Sequence, residues 1–424
     1  MQKFKYLLVP LLAALVLPTV AQTNLHATAV GDNEPEAVDS TEIDSLKADT
    51  LSTLPWPQKI QRELYQLLDS KMFKTSQVGM MVWDLEADSC LFSLNERQTM
   101  RPASCMKLVT AITAIDRLGG SYQFKTQLKY TGTIANGVLD GDIYCIGGMD
   151  PRFNGDDMTA FVNSMKEMGI DTIRGSIYAD KSMKSADPYG EGWCWDDDNP
   201  LLSPLLISRK DQFMSRFLTQ LREAGIYYGS FGTSERTCPA GAFSIVTRTH
   251  SLDQILMRMM KESDNLYAES MYYQIAASAG TRPATARDAR YIEQLLIKKI
   301  GLDPTRYQLA DGSGLSLYNY ISAELLTRLL RYAYHNENIM LHLLPALPIA
   351  GTDGTLKKRM RNSTAYGQVH AKTGTLTGII SLAGFCRAAN GHQLCFAIIN
   401  QGVLHAGNAR AFQDRVCELL TRQP

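Results

Sequence analysis

Ser104 and Lys107 stand three residues apart in Arg101-Pro102-Ala103-Ser104-Cys105-Met106-Lys107, just before the helix-favouring run Leu108 to Ile115. On a helix this spacing puts both side chains on one face, about a turn apart. Pro102 suits the first turn, where its missing N–H leaves no bond unmade. A hydroxyl beside an amine in a protein interior points to nucleophilic catalysis. An amine kept neutral by desolvation or by a second cation takes the serine proton and leaves an alkoxide-like nucleophile. A Ser-x-x-Lys pair is common by chance, so the reading depends on what else the chain supplies.

Two more motifs follow in order. Ser263-Asp264-Asn265 lies between helical stretches, and Lys372-Thr373-Gly374-Thr375 lies in a strand near the C-terminus. Alone, the first has the composition of a helix cap and the second that of a strand end. All three in this order and setting form the S-x-x-K, S-D-N and K-T-G set of penicillin-binding proteins and class A β-lactamases. The chain therefore resembles the penicillin-recognising serine acyltransferases. The long stretch between the first two motifs narrows the resemblance to class C low-molecular-mass penicillin-binding proteins, the D-alanyl-D-alanine carboxypeptidase/endopeptidase group of the S13 peptidase type. Gly147-Gly148-Met149-Asp150-Pro151, Asp311-Gly312-Ser313-Gly314-Leu315-Ser316 and Gly351-Thr352-Asp353-Gly354-Thr355-Leu356 also look like that group. The likeness covers about Leu54 to the C-terminus. Met149 interrupts the expected Gly-Gly-Asp-Pro form, and the insert is shorter than in members carrying two extra domains.

The resemblance implies roles. Ser104 attacks the carbonyl between two D-alanines, and Lys107 is its base. Lys372 supplies a second positive charge that lowers the Lys107 pKa and attracts the substrate carboxylate. Ser263 passes a proton to the leaving amine, and Asn265 holds the acyl-chain amide. Gly374 gives a bound peptide room beside the strand. Thr373 and Thr375 bind the terminal carboxylate, and the backbone N–H groups of Ser104 and Thr375 form the oxyanion hole. Asp150 either recognises the amino end of a diamino-acid side chain or caps a turn. Neither a metal nor an organic cofactor is implied. Stem peptides of peptidoglycan are the implied substrates and β-lactams the implied covalent inhibitors. The rivals are a serine β-lactamase, for which no Glu-x-x-x-Asn follows the second motif, and a wall-binding scaffold of weak activity.

These residues need elements to hold them. Alternating Gly79 to Leu85 and Ser89 to Leu94 read as a hairpin ahead of the Ser104 helix, and Gln368 to Lys372, Ile379 to Arg387 and His392 to Asn400 as strands near the end. Amphipathic helices are expected over Leu54–Leu68, Leu266–Ala277, Ala284–Ile300, Ser322–His335 and Ala406–Leu420. Between Gly120 and Arg248 the texture changes to short strands, with a hairpin signal at Asn136-Gly137, and two helices, Met158–Met168 and Gln212–Ala224. The expected class is α+β, an antiparallel sheet flanked by helices in the penicillin-binding/β-lactamase manner. It is interrupted by a mixed α/β domain over 121–245, leaving 54–120 and 246–424 as the peptidase domain.

The 424 residues are 45% hydrophobic and 20% charged, with zero formal net charge. No basic excess points to nucleic acid, and no glycine-rich loop reads as a phosphate cradle. Lys3 and Lys5 precede an apolar run from Tyr6 to Val20 and then Ala21, the pattern of a secretory signal peptide over 1–21. The expectation is an exported, periplasmic protein with no membrane span once the signal is removed. Residues 22–53 are rich in Asp and Glu and read as a disordered acidic linker. The eight cysteines show no zinc spacing. Cys386 and Cys395 flank Asn390-Gly391, so a two-residue turn would set them opposite each other, close enough to pair. The histidines, His250 among them, show no metal or triad pattern. Trp193 and Trp195 suit packing or a ligand wall.

Overall fold

A computed structural model describes residues 54–422 apart from 198 and 230–233. The expected signal peptide and acidic linker lie outside the described residues. The helices are, in order, α1 (Trp56–Gln66), α2 (Met106–Leu118), α3 (Gly155–Glu167), α4 (Phe213–Glu223), α5 (Leu252–Lys261), α6 (Asn265–Ala277), α7 (Ala286–Lys299), α8 (Ala323–Tyr334), α9 (Glu337–Ala346) and α10 (Ala406–Thr421). The strands of the main sheet are β1 (Gln77–Asp84), β2 (Ser89–Leu94), β12 (Val369–Leu376), β13 (Ile379–Arg387) and β14 (Gln393–Gln401). They are antiparallel throughout, in the order β12-β13-β14-β1-β2.

Strand alternation explains the layers. Met80, Val82, Leu382, Phe396 and Ile398 face one apolar core, closed by Ile60 and Leu64 of α1 and Val416 and Leu420 of α10. Their neighbours Met81, Ala383, Ala397 and Ile399 face the other, built from α2, α5, α6, α8 and α9. Successive side chains point to opposite faces of a strand, so a sheet covered on both sides has strands apolar at every position. The Ile379–Arg387 and Gln393–Gln401 runs read that way. The fold is α+β, with helices on both faces of an antiparallel sheet.

Residues 123–251 build two further sheets. One has the order β10 (Ser234–Glu235), β8 (Ile177–Asp180), β6 (Ile143–Ile146), β3 (Gln123–Tyr130), β11 (Phe243–Ser251). The other is β4 (Thr133–Ala135), β5 (Val138–Asp140), β7 (Thr172–Ile173), β9 (Tyr227–Tyr228). They enclose a separate core around Phe153, Phe161, Phe213 and Phe217. β11 stays paired with β3 as far as Ser251 opposite Gln123, so this sheet runs past the boundary expected at 245.

The cysteine expectation is corrected. The β13–β14 connection is a three-residue loop, with the Ala388 N–H donating to His392 O at 2.8 Å and Gly391 at φ +91°. Cys386 therefore lies opposite Leu394, and Cys395 opposite Phe385. A slip of one residue turns a side chain to the other face. Cys386 is in the α1/α10 core, Cys395 is in the α2/α8 core, and all eight cysteines are free thiols.

Candidate active site

Ser104 sits in a tight turn rather than inside the following helix. Ala103–Cys105 is a 3₁₀ turn, and α2 begins at Met106. Ala103 takes φ +47°, a conformation that alanine adopts only when its surroundings impose it. Two glycines make room for the turn. A Cβ on Gly314, itself at φ +79°, would lie 1.9 Å from Ala103 O. A Cβ on Gly374 would lie 2.1 Å from Ser381 Oγ, 2.8 Å from Pro102 O and 3.0 Å from Ser104 N. The bare face of Gly374 lets strand β12 press against the serine turn, which the Ser381 hydroxyl also holds by donating to Pro102 O at 2.5 Å. Ser104 itself is half-buried.

Lys107 lies on the first turn of α2, fully buried. Its Nζ is 2.9 Å from Ser104 Oγ, 2.7 Å from Asn265 Oδ1 and 2.7 Å from Ser313 O. Burial lowers the Lys107 pKa to about 8, opposed by the negative charges of Asp311, Glu269 and Asp264. The last two of its acceptors have no proton to give. A neutral amine there spends both N–H groups on them and turns its lone pair to the Ser104 hydroxyl.

The second motif is the junction of α5 and α6. Ser263 takes φ +60°. The Asp264 carboxylate caps α6 and is held by Arg258 at 2.9 Å and by Arg209. Asn265 opens α6 and reaches Lys107. The Ser263 hydroxyl accepts from Lys372 Nζ at 2.9 Å. Lys372 is also fully buried, and its pKa falls to about 7 through burial and then the neighbouring Lys107 charge. Two hydroxyls and two amines are thus paired, Ser104 with Lys107 and Ser263 with Lys372.

β12 is the sheet's edge strand. Segment 348–350 covers its outer side only as far as Ala371, whose N–H donates to Pro348 O at 2.9 Å. By alternation the backbone groups of Thr373 and Thr375 point the same way, past the end of that cover. Thr373 Oγ1 is hydrogen-bonded to Thr355 Oγ1 at 2.7 Å, and Thr375 is exposed.

Asp150 is not part of this cluster. Its side chain is 0% exposed and is held by His250 Nδ1 at 2.6 Å and the Arg152 N–H at 2.9 Å, contacts of the kind the turn-capping alternative expects. Trp193 donates its indole N–H to Asp311 Oδ2 at 2.8 Å, whereas Trp195 is exposed. Asp311 also accepts from the Gly314 and Ser316 amides and from Asn319, which fixes the loop carrying Ser313. Ser313 and Thr355 lie in stretches that carry the family resemblance but had no role of their own there; Ser381 and the buried Glu269 were not singled out, and of these two only Glu269 left a signal, its place four residues after Asn265 on a helix. A cavity of about 640 Å³ lies elsewhere, lined by Lys184, Ser203, Arg236 and Arg282 among others, and includes none of the motif residues.

The sequence profile of the D-Ala-D-Ala carboxypeptidase 3 (S13) family matches residues 60–208 and 205–423. D-alanyl-D-alanine carboxypeptidase DacB of Haemophilus influenzae is 25% identical over 413 residues, 78% of this chain and 86% of that one. The D-alanyl-D-alanine carboxypeptidase of Actinomadura sp. is 25% identical over 462 residues, 84% of each chain. The crystal structure of penicillin binding protein 4 (dacB) from Haemophilus influenzae superposes with a TM-score of 0.77 at 24% identity, over 84% of this chain and 99% of that one. That protein has also been solved in complex with a β-lactam.

Proposed function

The chain belongs to the D-Ala-D-Ala carboxypeptidase 3 (S13) family and is a serine-type D-Ala-D-Ala carboxypeptidase; from that premise we propose which residues carry the reaction and how. Ser104 is the nucleophile and neutral Lys107 its base. As Oγ bonds to the carbonyl carbon between the two D-alanines, the hydroxyl proton passes to Lys107 Nζ. The N–H groups of Ser104 and Thr375 receive the oxyanion, a contribution whose loss typically lowers rate by about 100- to 1,000-fold. When the C–N bond breaks, the proton that Lys107 took from Ser104 is relayed through the Ser263 hydroxyl, which Lys372 holds, to the departing amine, and Lys107 is neutral again. Water then attacks the acyl-enzyme with Lys107 again as base, releasing the shortened peptide and restoring Ser104.

Asn265 has one amide end on Lys107, leaving Nδ2 for the acyl-chain carbonyl. Lys372, Thr373 and Thr375 receive the terminal carboxylate. The outward backbone of Thr373 and Thr375 offers an extended peptide a strand edge to join. Stem peptides of peptidoglycan are the substrates, and D-Ala–diamino-acid crosslinks are a second substrate class on the same edge. The Lys3/Lys5 start and following apolar run support export to the periplasm. No helix among the described residues is long and apolar enough to cross a membrane. Residues 121–245 act as an inserted domain, a reading supported by their separate core.

The observation that carries this reading is Lys107 Nζ, 2.9 Å from Ser104 Oγ and otherwise held by two groups that only accept. Intact mass spectrometry with benzylpenicillin tests it. A covalent adduct on the wild type and none on Ser104→Ala is expected. An adduct that persists on Ser104→Ala removes Ser104 from the mechanism.

A further inference from the structure

Beneath the nucleophile lie two buried carboxyl groups with no part in the scheme above, Glu269 and Glu293. Glu269 is one turn along α6 from Asn265, so both project from one helix face. Asn265 meets Lys107 directly. Glu269 Oε1 accepts the Ser313 N–H at 2.8 Å, and the Ser313 carbonyl accepts from Lys107 at 2.7 Å. The other end of that same peptide group, the Gly314 N–H, donates to Asp311 Oδ1 at 2.8 Å. One helix face thus holds the amine both directly and through its second acceptor. Among the described residues Glu293 is hydrogen-bonded only by Thr110, at 3.5 Å.

We propose that Glu269 is a positioning residue of the reaction: through Ser313 it aims the Lys107 amine, and its carboxyl group is the charge, present or absent, that sets when Lys107 gives up its proton. This rests on the Ser104–Lys107 reading above. The titratable groups within electrostatic reach of Glu269 are Lys107 from α2, Asp311 from the loop, Glu293 from α7, Tyr272 and Tyr273 from α6 itself, and Lys184 from the insert. Burial and then the Asp311 charge raise Glu269 to about 8, against the Ser313 and Gly312 hydrogen bonds, while Lys107 falls to about 8. A negative charge on Glu269 raises the proton affinity of Lys107, so an ionised Glu269 favours the ammonium and a protonated Glu269 favours the amine whose lone pair serves Ser104. An amide in place of the carboxyl carries no charge, so Lys107 loses its proton at lower pH.

The test is the second-order rate of acylation by benzylpenicillin, followed by intact mass across about pH 6 to about pH 10, the range in which a base of this kind titrates. Glu269→Gln still accepts from Ser313. Its plateau should stay within about 3-fold of wild type while its acid-side midpoint falls by about 0.5 unit or more. Glu269→Ala has no acceptor for Ser313 and should lose about 10-fold or more of the plateau, which the Gln variant restores. Glu269→Asp keeps the charge but shortens the reach, so its midpoint should stay and its plateau fall. A purely structural role would lower plateau and melting temperature together with no movement of the midpoint. A Gln midpoint that coincides with wild type overturns the proposal. If the Gln variant does not fold, the Asp variant decides, and an unchanged plateau there overturns it. A wild type that forms no adduct overturns the Ser104–Lys107 reading first, and the role of Glu269 with it.

Discussion

At the scale of single residues, the site is built around two amines stripped of water. Lys107 works as a base only when neutral. Its pKa lies near 8, so kcat/KM should rise with pH through about 8 and then level, which a pH–rate profile on a D-Ala-D-Ala peptide checks. Lys107→Ala should fold yet acylate roughly 1,000-fold or more slowly, and normal acylation would remove it from the mechanism. Lys372 gives a second expectation. Burial and Lys107 bring it to about 7, so at pH 8 it is mostly neutral in the free enzyme. A bound carboxylate supplies the missing counter-charge and raises its proton affinity. Peptide binding to Ser104→Ala at pH 8 should therefore take up a fraction of a proton, up to about one, seen calorimetrically as heats that differ between buffers of different ionisation enthalpy. Equal heats would show that Lys372 does not meet the carboxylate. The thiols give a simpler check: unfolded, unreduced protein should titrate eight, the full cysteine count, and six would betray a bridge.

At the scale of elements, the decisive contacts lie where a glycine or a cap lets two pieces of chain close up. Gly374→Ala puts a methyl 2.1 Å from Ser381 Oγ and 2.8 Å from Pro102 O. The serine turn must then shift against β12, and acylation should fall by about 100-fold or more, since misplacement of about 1 Å costs that much. Adding Ser381→Ala should restore only part of it, because the Pro102 carbonyl remains; full recovery would show that only the hydroxyl mattered. Asp264→Ala removes both the α6 cap and the partner of two half-exposed arginines, at a cost of about 2 kcal/mol by thermal denaturation. Much of this layer was legible in the sequence. Alternation located the β1–β2 hairpin, short apolar runs located β13 and β14, and amphipathic spacing located α1, α7, α8 and α10. Helix α9 was missed because Ile339-Met340-Leu341-His342-Leu343-Leu344-Pro345 has no clean stripe and ends on a proline. The β13–β14 register slipped because Asn390-Gly391 suits a two-residue turn, whereas the chain closes at Ala388 and His392 and leaves Gly391 left-handed. The contact between Glu269 and Ser313 was not legible for another reason: the two lie far apart in sequence, and no local pattern encodes such a contact.

At the scale of the whole molecule, the insert does more than sit beside the peptidase fold. Two of its side chains reach the surroundings of the Ser104–Lys107 pair: Trp193, bonded to Asp311, and Arg209, bonded to Asp264. One steadies the loop that holds Lys107 and the other steadies the junction that holds Ser263 and Asn265. Trp193→Phe and Arg209→Ala should each lower acylation several-fold, and together roughly as the product if the two routes are independent. An unchanged rate in the double variant would show that the cluster stands without the insert. Met149, Met183, Leu202 and Leu206 of the insert also pack against Leu266, Tyr272 and Tyr273 of α6, so the contact has an apolar footing. The β3–β11 pair has a practical result. Gln123 and Ser251 face each other at the base of the insert, so the excursion leaves and rejoins the peptidase fold through one narrow doorway. A short hairpin or a foreign module grafted across those two positions would close the chain without rerouting the rest of the backbone, yet it would take away Trp193, Arg209 and the apolar cover of α6, so the shortened protein should acylate slowly.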